Sequence, residues 1–144
     1  MLNRFFVTLC LGLILAACEP IGPLPGTGLS GQVVATPASW EPTNIVEVIQ
    51  LETSGPRSVN IWGVGLDTGY YVASSAGEKS TWASRITRDP EVRLRIEDNI
   101  YELRAEVVTD AEELARVGAA FQQKYELDAG EDFPEATLYR LDPR

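Results

Sequence analysis

Apolar and polar residues alternate in three closely spaced segments of the first half of the chain, which is the pattern of half-buried β-strands. Turn-forming residues separate these segments: Ser54, Gly55 and Pro56 follow the first, and Asp67 and Gly69 follow the second. Because the connections are short, the strands are expected to pair antiparallel as a meander. The predicted strands cover residues 45–51, 57–64 and 70–75.

The period changes to that of a helix in two places. Trp82 and Ile86 lie about one helical turn apart, which predicts a short helix within residues 77–89 that ends before Pro90. A second helix is expected over residues 110–125, where a T-D-A-E capping-box sequence precedes apolar residues at helical spacing. Both helices would therefore offer one apolar face to a sheet.

A clean alternation between the two predicted helices indicates a hairpin that turns at Asp98 and Asn99, with Arg and Glu side chains pairing across its wet face. A last strand is expected over residues 136–141. The resulting order, β-β-β-α-β-β-α-β, predicts a mainly β (α+β) chain that forms a small barrel or closed roll with two helices.

The first 17 residues have the pattern of a bacterial export signal. Arg4 gives a positive start, and residues 5–15 form an apolar run that is too short to span a bilayer as a helix. Two alanines precede Cys18, so L-A-A-C resembles the lipobox of bacterial lipoproteins, in which the thiol is lipidated and the chain is cut before the cysteine. Residues 1–17 would then be a lipoprotein signal peptide. An ordinary secretory signal with an incidental cysteine is the alternative.

The segment that follows the signal is rich in proline and glycine. Residues 18–32 hold Pro20, Pro23 and Pro25 together with four glycines, a composition that is typical of a flexible, partly stiff linker. We expect a lipid on Cys18 and a linker that holds the domain of residues 33–144 roughly 30 Å from a membrane. The expected location is the bacterial cell envelope, at either the inner or the outer membrane.

Composition narrows the classes of function. The formal net charge of −9 argues against a nucleic-acid partner, since no basic patch opposes it. The chain has no histidine, and its two cysteines are Cys10 in the signal and Cys18. Histidine-dependent nucleophilic catalysis and histidine-ligated metals are therefore excluded, and no metal site or catalytic residue is assigned.

Four stretches of the sequence carry a resemblance to a known superfamily: "YYVAS", "DPEVRLRI", "AFQQKY" and "ATLYRLDPR". They resemble the split β-barrel proteins related to pyridoxamine-phosphate oxidase, and the resemblance extends over about residues 44–144. More narrowly, the stretches are similar to the deazaflavin-dependent nitroreductase group and to a small uncharacterised relative of that group. The resemblance implies an antiparallel split β-barrel and a site for FMN or a deazaflavin.

In flavin-binding relatives, the loop after the "YYVAS"-type strand helps to hold the cofactor phosphate. An ordinary strand-to-helix loop with a capping serine is the alternative for this chain. The connection between the first two strands, "TSGPRS", is also shorter and less basic than in deazaflavin-binding relatives, and Arg57 is its single cation. The cofactor-binding residues implied by position are Arg57, Ser74, Ser75, Gly77, Lys79, Ser80 and Trp82.

Three functions stay open on the sequence. The first is a membrane-anchored module that binds a small ligand or assists another protein, without catalysis of its own. The second is an FMN- or deazaflavin-dependent oxidoreductase of the nitroreductase or quinone-reductase kind, which the resemblance would make a homodimer. The third is a structural envelope lipoprotein that recruits a protein partner. Trp62, Tyr70 and Tyr71 are expected either to pack the barrel or to offer a flat ligand a stacking surface.

Overall fold

The structure is a computed structural model that describes residues 18–128 and 136–144. The predicted signal peptide of residues 1–17 lies outside these residues, whereas Cys18 and the predicted linker lie within them. Neither of the two described α-helices has the length and the apolar character that a bilayer-spanning segment requires.

Seven strands, two α-helices and two 3-10 turns make up the described chain. The 3-10 turns are Glu41–Ile45 and Gly77–Lys79. The α-helices are α1 (Thr81–Arg88) and α2 (Ala111–Tyr125). The strands are β1 (Gln32–Val33), β2 (Val48–Thr53), β3 (Arg57–Leu66), β4 (Gly69–Ser74), β5 (Glu91–Ile96), β6 (Asn99–Val107) and β7 (Thr137–Pro143).

Six of these strands close into an antiparallel barrel, in the order β6-β5-β2-β3-β4-β7. The barrel closes because β7 pairs with β6 as well as with β4, with Ala105 opposite Leu141 at the closing seam. The short β1 adds a parallel pairing to the outer edge of β6. The predicted mainly β split barrel with two helices is therefore confirmed.

Two boundaries differ from the sequence prediction for local reasons. The first long strand begins at Val48 rather than at residue 45, because the 3-10 turn Glu41–Ile45, with Pro42 near its start, occupies the preceding residues. The hairpin turn falls at Glu97 and Asp98, one residue earlier than expected, and Glu97 adopts the left-handed conformation (φ +55°) that the tight connection needs.

Trp40 packs into the barrel interior although it belongs to no strand. Its ring makes edge-on contacts with Tyr70 (5.4 Å between ring centroids) and Tyr101 (4.8 Å). Gly65 is needed beside it, because a Cβ at that position would overlap the Trp40 carbonyl group. Aromatic packing therefore fills the barrel at this point, and Tyr70 is wholly buried by it.

Helix α2 covers the outside of the barrel at β3, β4 and β7. Val117 and Phe121 are fully buried in a second core cluster that also holds Val64 and Tyr71. Asp110 caps the helix, since its carboxylate accepts from the Glu113 amide at 2.9 Å. The helix thereby brings its last turns against β3, next to the site described below.

The predicted linker is not a free tether. Its residues 18–30, here called the N-terminal strap, lie against β2, β3 and β5. The Gly26 amide donates to the Ser58 carbonyl (2.8 Å), the Ser58 amide donates back (3.1 Å), and the buried Leu29 donates to the Glu52 carboxylate (2.6 Å). The segment lies on the barrel because its backbone groups find partners there, which composition alone does not reveal.

The strap also changes the predicted surface of the hairpin. Arg93 and Arg95 were expected to pair with glutamates across a wet face. Instead Arg93 binds Glu52 of β2 at 3.0 Å, and Arg95 binds Glu19 of the strap at 2.9 Å. The strap covers this face of the hairpin. The two arginines therefore pair with carboxylates of the strap and of β2, and not with carboxylates of the other hairpin strand.

Candidate functional site

A cavity of about 480 Å³ opens at the surface where β3, β4 and the start of α1 meet, with one side formed by α2. No charged residue is among the described residues that line it. They are Asn60, Ile61, Trp62, Ala73, Ser74, Ser75, Ala76, Ser80, Trp82, Phe121 and Ala136. The cavity is thus built from two tryptophans, a few small polar groups and aliphatic or aromatic carbon.

The β3 wall of the cavity carries Trp62, whose side chain is 43% exposed. Its ring stacks on Tyr125 of α2, with ring centroids 4.4 Å apart and ring planes 10° apart. Backbone contacts fix Tyr125 in turn: its hydroxyl accepts from the Gly63 amide (3.0 Å) and donates to the Glu47 carbonyl (2.7 Å). The Trp62 ring is therefore backed by a side chain that cannot easily move.

Lys124 supports the same wall from behind. Its ammonium donates to the carbonyls of Val46 (2.8 Å) and Gly63 (2.7 Å) and lies 5.1 Å from the centre of the Tyr125 ring. Burial lowers the pKa of Lys124 to about 8 and raises the pKa of Tyr125 to about 12. Both groups stay outside the cavity, since Lys124 lines a separate hollow on the other side of Trp62.

The other tryptophan wall is positioned by a serine-capped helix. Ser80 is the N-cap of α1, and its hydroxyl accepts from the Ala83 amide at 3.3 Å. Ser74, at the end of β4, lies 2.8 Å from the Ser80 hydroxyl and donates to the Gly77 carbonyl (2.7 Å). This serine pair ties the strand end to the helix start and so fixes where Trp82 enters the cavity.

The structure brings together four of the seven residues predicted to bind a cofactor. Two of the others belong to the neighbouring 3-10 turn and do not line the cavity: Gly77 and the exposed Lys79. Arg57 lies in a second cavity of about 400 Å³, which shares Trp82 as a wall. The four residues that line the main cavity are Ser74, Ser75, Ser80 and Trp82.

The alternative of a capping serine also describes what the structure shows for Ser80. The hydroxyls of Ser74 and Ser80 already have partners within the loop, whereas Ser75 is exposed. The two alternatives for the three aromatic residues apply to different residues. Tyr70 and Tyr71 are completely buried packing residues, whereas Trp62 presents its ring to the cavity.

Several lining residues were outside the sequence prediction. Asn60 comes from β3, Phe121 from α2 and Ala136 from the segment before β7. The only sequence feature that could have marked Asn60 as a lining residue is its polarity within the apolar alternation of β3. No local pattern marks Phe121, because at helical spacing it looks like any other core residue.

The donor set fits a flat ring better than it fits a phosphate. The two tryptophans can contact a conjugated ring, and the exposed Ser75 hydroxyl can bond a neutral polar group. A phosphate needs a cation or a set of convergent backbone amides, and the cavity has no cation among its described lining residues. The described residues also form no cluster of three or more carboxylates or cysteines that could hold a metal ion.

Comparison with protein families places most of the domain in one of them. The family model described as "Uncharacterized protein conserved in bacteria (DUF2255)" matches residues 43–137. No curated protein sequence matches the chain.

Solved structures share the fold at low identity. A Listeria innocua protein named for pyridoxamine 5′-phosphate oxidase has a TM-score of 0.58 and 16% identity, over 71% of this chain and 87% of its own. A FAD-binding protein from Mesorhizobium loti and the heme storage protein HutZ from Vibrio cholerae each have a TM-score of 0.51 and 18% identity, over 71% of this chain and 84% of theirs. The predicted likeness to split barrels of the pyridoxamine-phosphate oxidase kind is confirmed as a likeness of fold.

Proposed function

The chain belongs to the DUF2255 family of proteins conserved in bacteria, and we propose that its split barrel binds a flat, uncharged aromatic ligand in the cavity lined by Trp62 and Trp82. The observation that carries this proposal is the pairing of two tryptophans with a purely neutral polar set in one cavity of about 480 Å³. That volume lies within the range of about 300–1,000 Å³ that is usual for small-molecule sites.

The structural neighbours support a ring as the recognised feature. One neighbour is described as FAD-binding and another as a heme storage protein, and both of those ligands contain a large flat conjugated system. The neutral lining separates this chain from a site built around a phosphate. A flavin ring without its phosphate, or a quinone, therefore fits the cavity better than FMN does.

The test compares riboflavin with FMN, because the two share a ring and differ only by the phosphate. Full-length protein in detergent is titrated with each compound while the fluorescence of its three tryptophans is followed. We expect saturable quenching with riboflavin and no tighter binding of FMN. Trp62→Ala should abolish the binding, whereas Val107→Ala, which also alters an exposed apolar strand residue, should leave it unchanged.

Two results would contradict the proposal. Absence of quenching by riboflavin, FMN and a simple quinone would remove the cavity as a ring-binding site. Much tighter binding of FMN than of riboflavin, lost in Lys79→Ala, would restore the phosphate site implied by the resemblance. Oxidoreductase activity and recruitment of a protein partner, the two alternatives from the sequence, stay predictions.

We also propose that the chain is a lipoprotein of the bacterial envelope, anchored through Cys18. The support is the L-A-A-C sequence after an apolar run, together with an exposed Cys18 that has no disulfide among the described residues. Intact-mass measurement on the membrane fraction should show a chain that begins at residue 18 and carries added acyl mass. Cys18→Ser should lose that mass, and an unmodified wild-type chain would contradict the anchor.

A further inference from the structure

The N-terminal strap presents two apolar side chains to solvent at its tip. Ile21 and Leu24 are 75% and 65% exposed. Their backbones pair across a tight turn, with the Leu24 amide donating to the Ile21 carbonyl at 2.9 Å and the reverse bond at 3.1 Å. Gly22 adopts a left-handed conformation (φ +54°) in this turn, and Pro23 follows it. The backbone therefore holds both side chains outward as a small hairpin.

The barrel keeps this hairpin from folding back to hide its apolar tip. The Asn60 amide group donates to the carbonyls of Gly22 (3.1 Å) and Pro20 (3.3 Å), on both sides of Ile21. Pro20 itself is buried, and Glu19 is held by Arg95. Ile21 and Leu24 are thus exposed on a supported element rather than on a loose chain end.

The strap also fixes Cys18, at the base of this hairpin. The Cys18 amide donates to the Thr27 hydroxyl (3.2 Å), and the Thr27 amide donates to the Cys18 carbonyl (2.7 Å). Gly26 allows this closure, because a Cβ there would overlap the backbone of Cys18 and Glu19. The predicted attachment point and the two exposed apolar residues therefore belong to one rigid unit.

The charges next to the strap complement a phospholipid surface. Pro23 and Pro25 line the second cavity together with the guanidinium groups of Arg57, which is exposed, and Arg85, which is half-buried. The one acidic residue of the strap, Glu19, is paired with Arg95. Although the chain is acidic overall, the described residues that line the second cavity include two arginines and no carboxylate, so this surface can meet lipid phosphates.

We propose that Ile21 and Leu24 insert into the bilayer that carries Cys18, with Arg57 and Arg85 at the level of the lipid phosphates. The barrel would then lie directly on the membrane in one orientation, instead of hanging from a tether of roughly 30 Å. The inference rests on the anchoring part of the proposed function and adds a specific lipid-contacting surface to it. The lipid proposed on Cys18 would be attached only three residues before Ile21 in the sequence, which makes the bilayer the surface that this tip meets.

The test places an environment-sensitive fluorophore on single cysteines. The full chain is produced in a bacterial host, purified in detergent and reconstituted into vesicles of phosphatidylethanolamine and phosphatidylglycerol. The fluorophore NBD is attached to Leu24→Cys, to Ile21→Cys as a second variant, and to Ile45→Cys as a matched control. Ile45 is an equally apolar residue that is 88% exposed at a distance from the strap in the sequence.

We expect blue-shifted emission and several-fold weaker quenching by aqueous iodide at positions 21 and 24, and the behaviour of a water-exposed probe at position 45. Equal iodide quenching at all three positions would overturn the inference. The wild-type chain separates this failure from failure of the anchor, since Cys10 and Cys18 are its only cysteines. A wild-type chain that takes up the label has a free thiol, which overturns the anchor and with it the inference. An unlabelled wild-type chain with exposed probes at 21 and 24 overturns the inference alone.

Discussion

Trp62 and Trp82 line the same cavity but are held in different ways. Trp62 projects from a strand, is 43% exposed and rests on a single aromatic ring, that of Tyr125. Trp82 projects from a short helix, packs against the main core and contacts Tyr139 at 5.6 Å between ring centroids. One tryptophan is thus an exposed platform, and the other is a partition between the main cavity and the second cavity beside the strap.

Trp82 keeps the neutral, ring-binding surface apart from the arginine charge in this barrel. The lining on one side of Trp82 is neutral, and the lining on the other side holds Arg57 and Arg85. A ligand in the main cavity therefore meets no cation from the described lining, whereas an anion near the strap does. The resemblance implied one site for both features, and the tertiary structure divides them at a single side chain.

Replacing Trp82 by alanine should have the largest effect, because it merges the two cavities and removes core contacts. We expect a loss of about 2–3 kcal/mol in the free energy of unfolding, somewhat less than for a fully buried tryptophan, together with loss of ring binding. Urea unfolding followed by circular dichroism measures the loss of stability, and riboflavin titration measures the loss of ring binding. An unchanged unfolding midpoint would show that Trp82 is not the partition described here.

Replacing Trp62 by alanine should lower the free energy of unfolding by less, about 1 kcal/mol. The ring is partly exposed, and its stacking on Tyr125 supplies most of the stabilisation that the side chain contributes. A double-mutant cycle with Tyr125→Leu should return a coupling free energy of similar size. Ring binding should be lost as completely as in Trp82→Ala. Additive effects of the two substitutions would mean that the stacked pair contributes nothing.

Ser80→Ala tests whether the loop serines serve the helix or a ligand. Loss of the cap on α1 should lower the free energy of unfolding by about 1 kcal/mol. Ser75→Ala is the matched control in the same loop, and we expect a change within about 0.5 kcal/mol because its side chain is exposed. Thermal unfolding of both variants decides the point, and equal effects would argue against the capping role.

The smallest expected effect is a dependence of stability on pH, which arises from Lys124 and Tyr125 behind the Trp62 ring. The pKa of Lys124 is about 8 in the folded chain against an ordinary 10.5, so the unfolded chain binds more protons between these values and stability should rise with pH. The pKa of Tyr125 is raised from 10.0 to about 12. The stability that it contributes is complete below pH 10 and should be lost as the pH rises from about 10 to about 12.

Urea unfolding between about pH 7 and about pH 12 should therefore show a shallow maximum near about pH 10. Lys124→Met keeps the aliphatic stem and removes the titrating group, so it should abolish the rise and keep the fall. A variant that retains the rise would assign it to another group.

Much of the barrel could be predicted from local pattern. Alternation in β5 and β6, the helical spacing of α2 and the stop at Pro90 are all properties of neighbouring residues, and each of these elements forms where its pattern lies. The cap of α2 falls one residue later than the capping-box pattern predicts, at Asp110 instead of Thr109. The site was only partly predictable. Ser74, Ser80 and Trp82 lie within nine residues of one another and were found together, whereas Asn60, Phe121 and Ala136 come from distant parts of the chain.

The order of the six barrel strands and the two α-helices, the absence of histidine and the acidic balance followed from the sequence, because they depend on composition and on contacts between near neighbours. The short β1 and the two 3-10 turns were not predicted. Only the tertiary structure decided that the strap lies on the barrel and that Arg57 is separated from the loop serines by Trp82. The physical reason is the same in both cases. The partners of Gly26, Leu29 and Asn60 are 23–40 residues away along the chain, so only the folded chain brings them into contact.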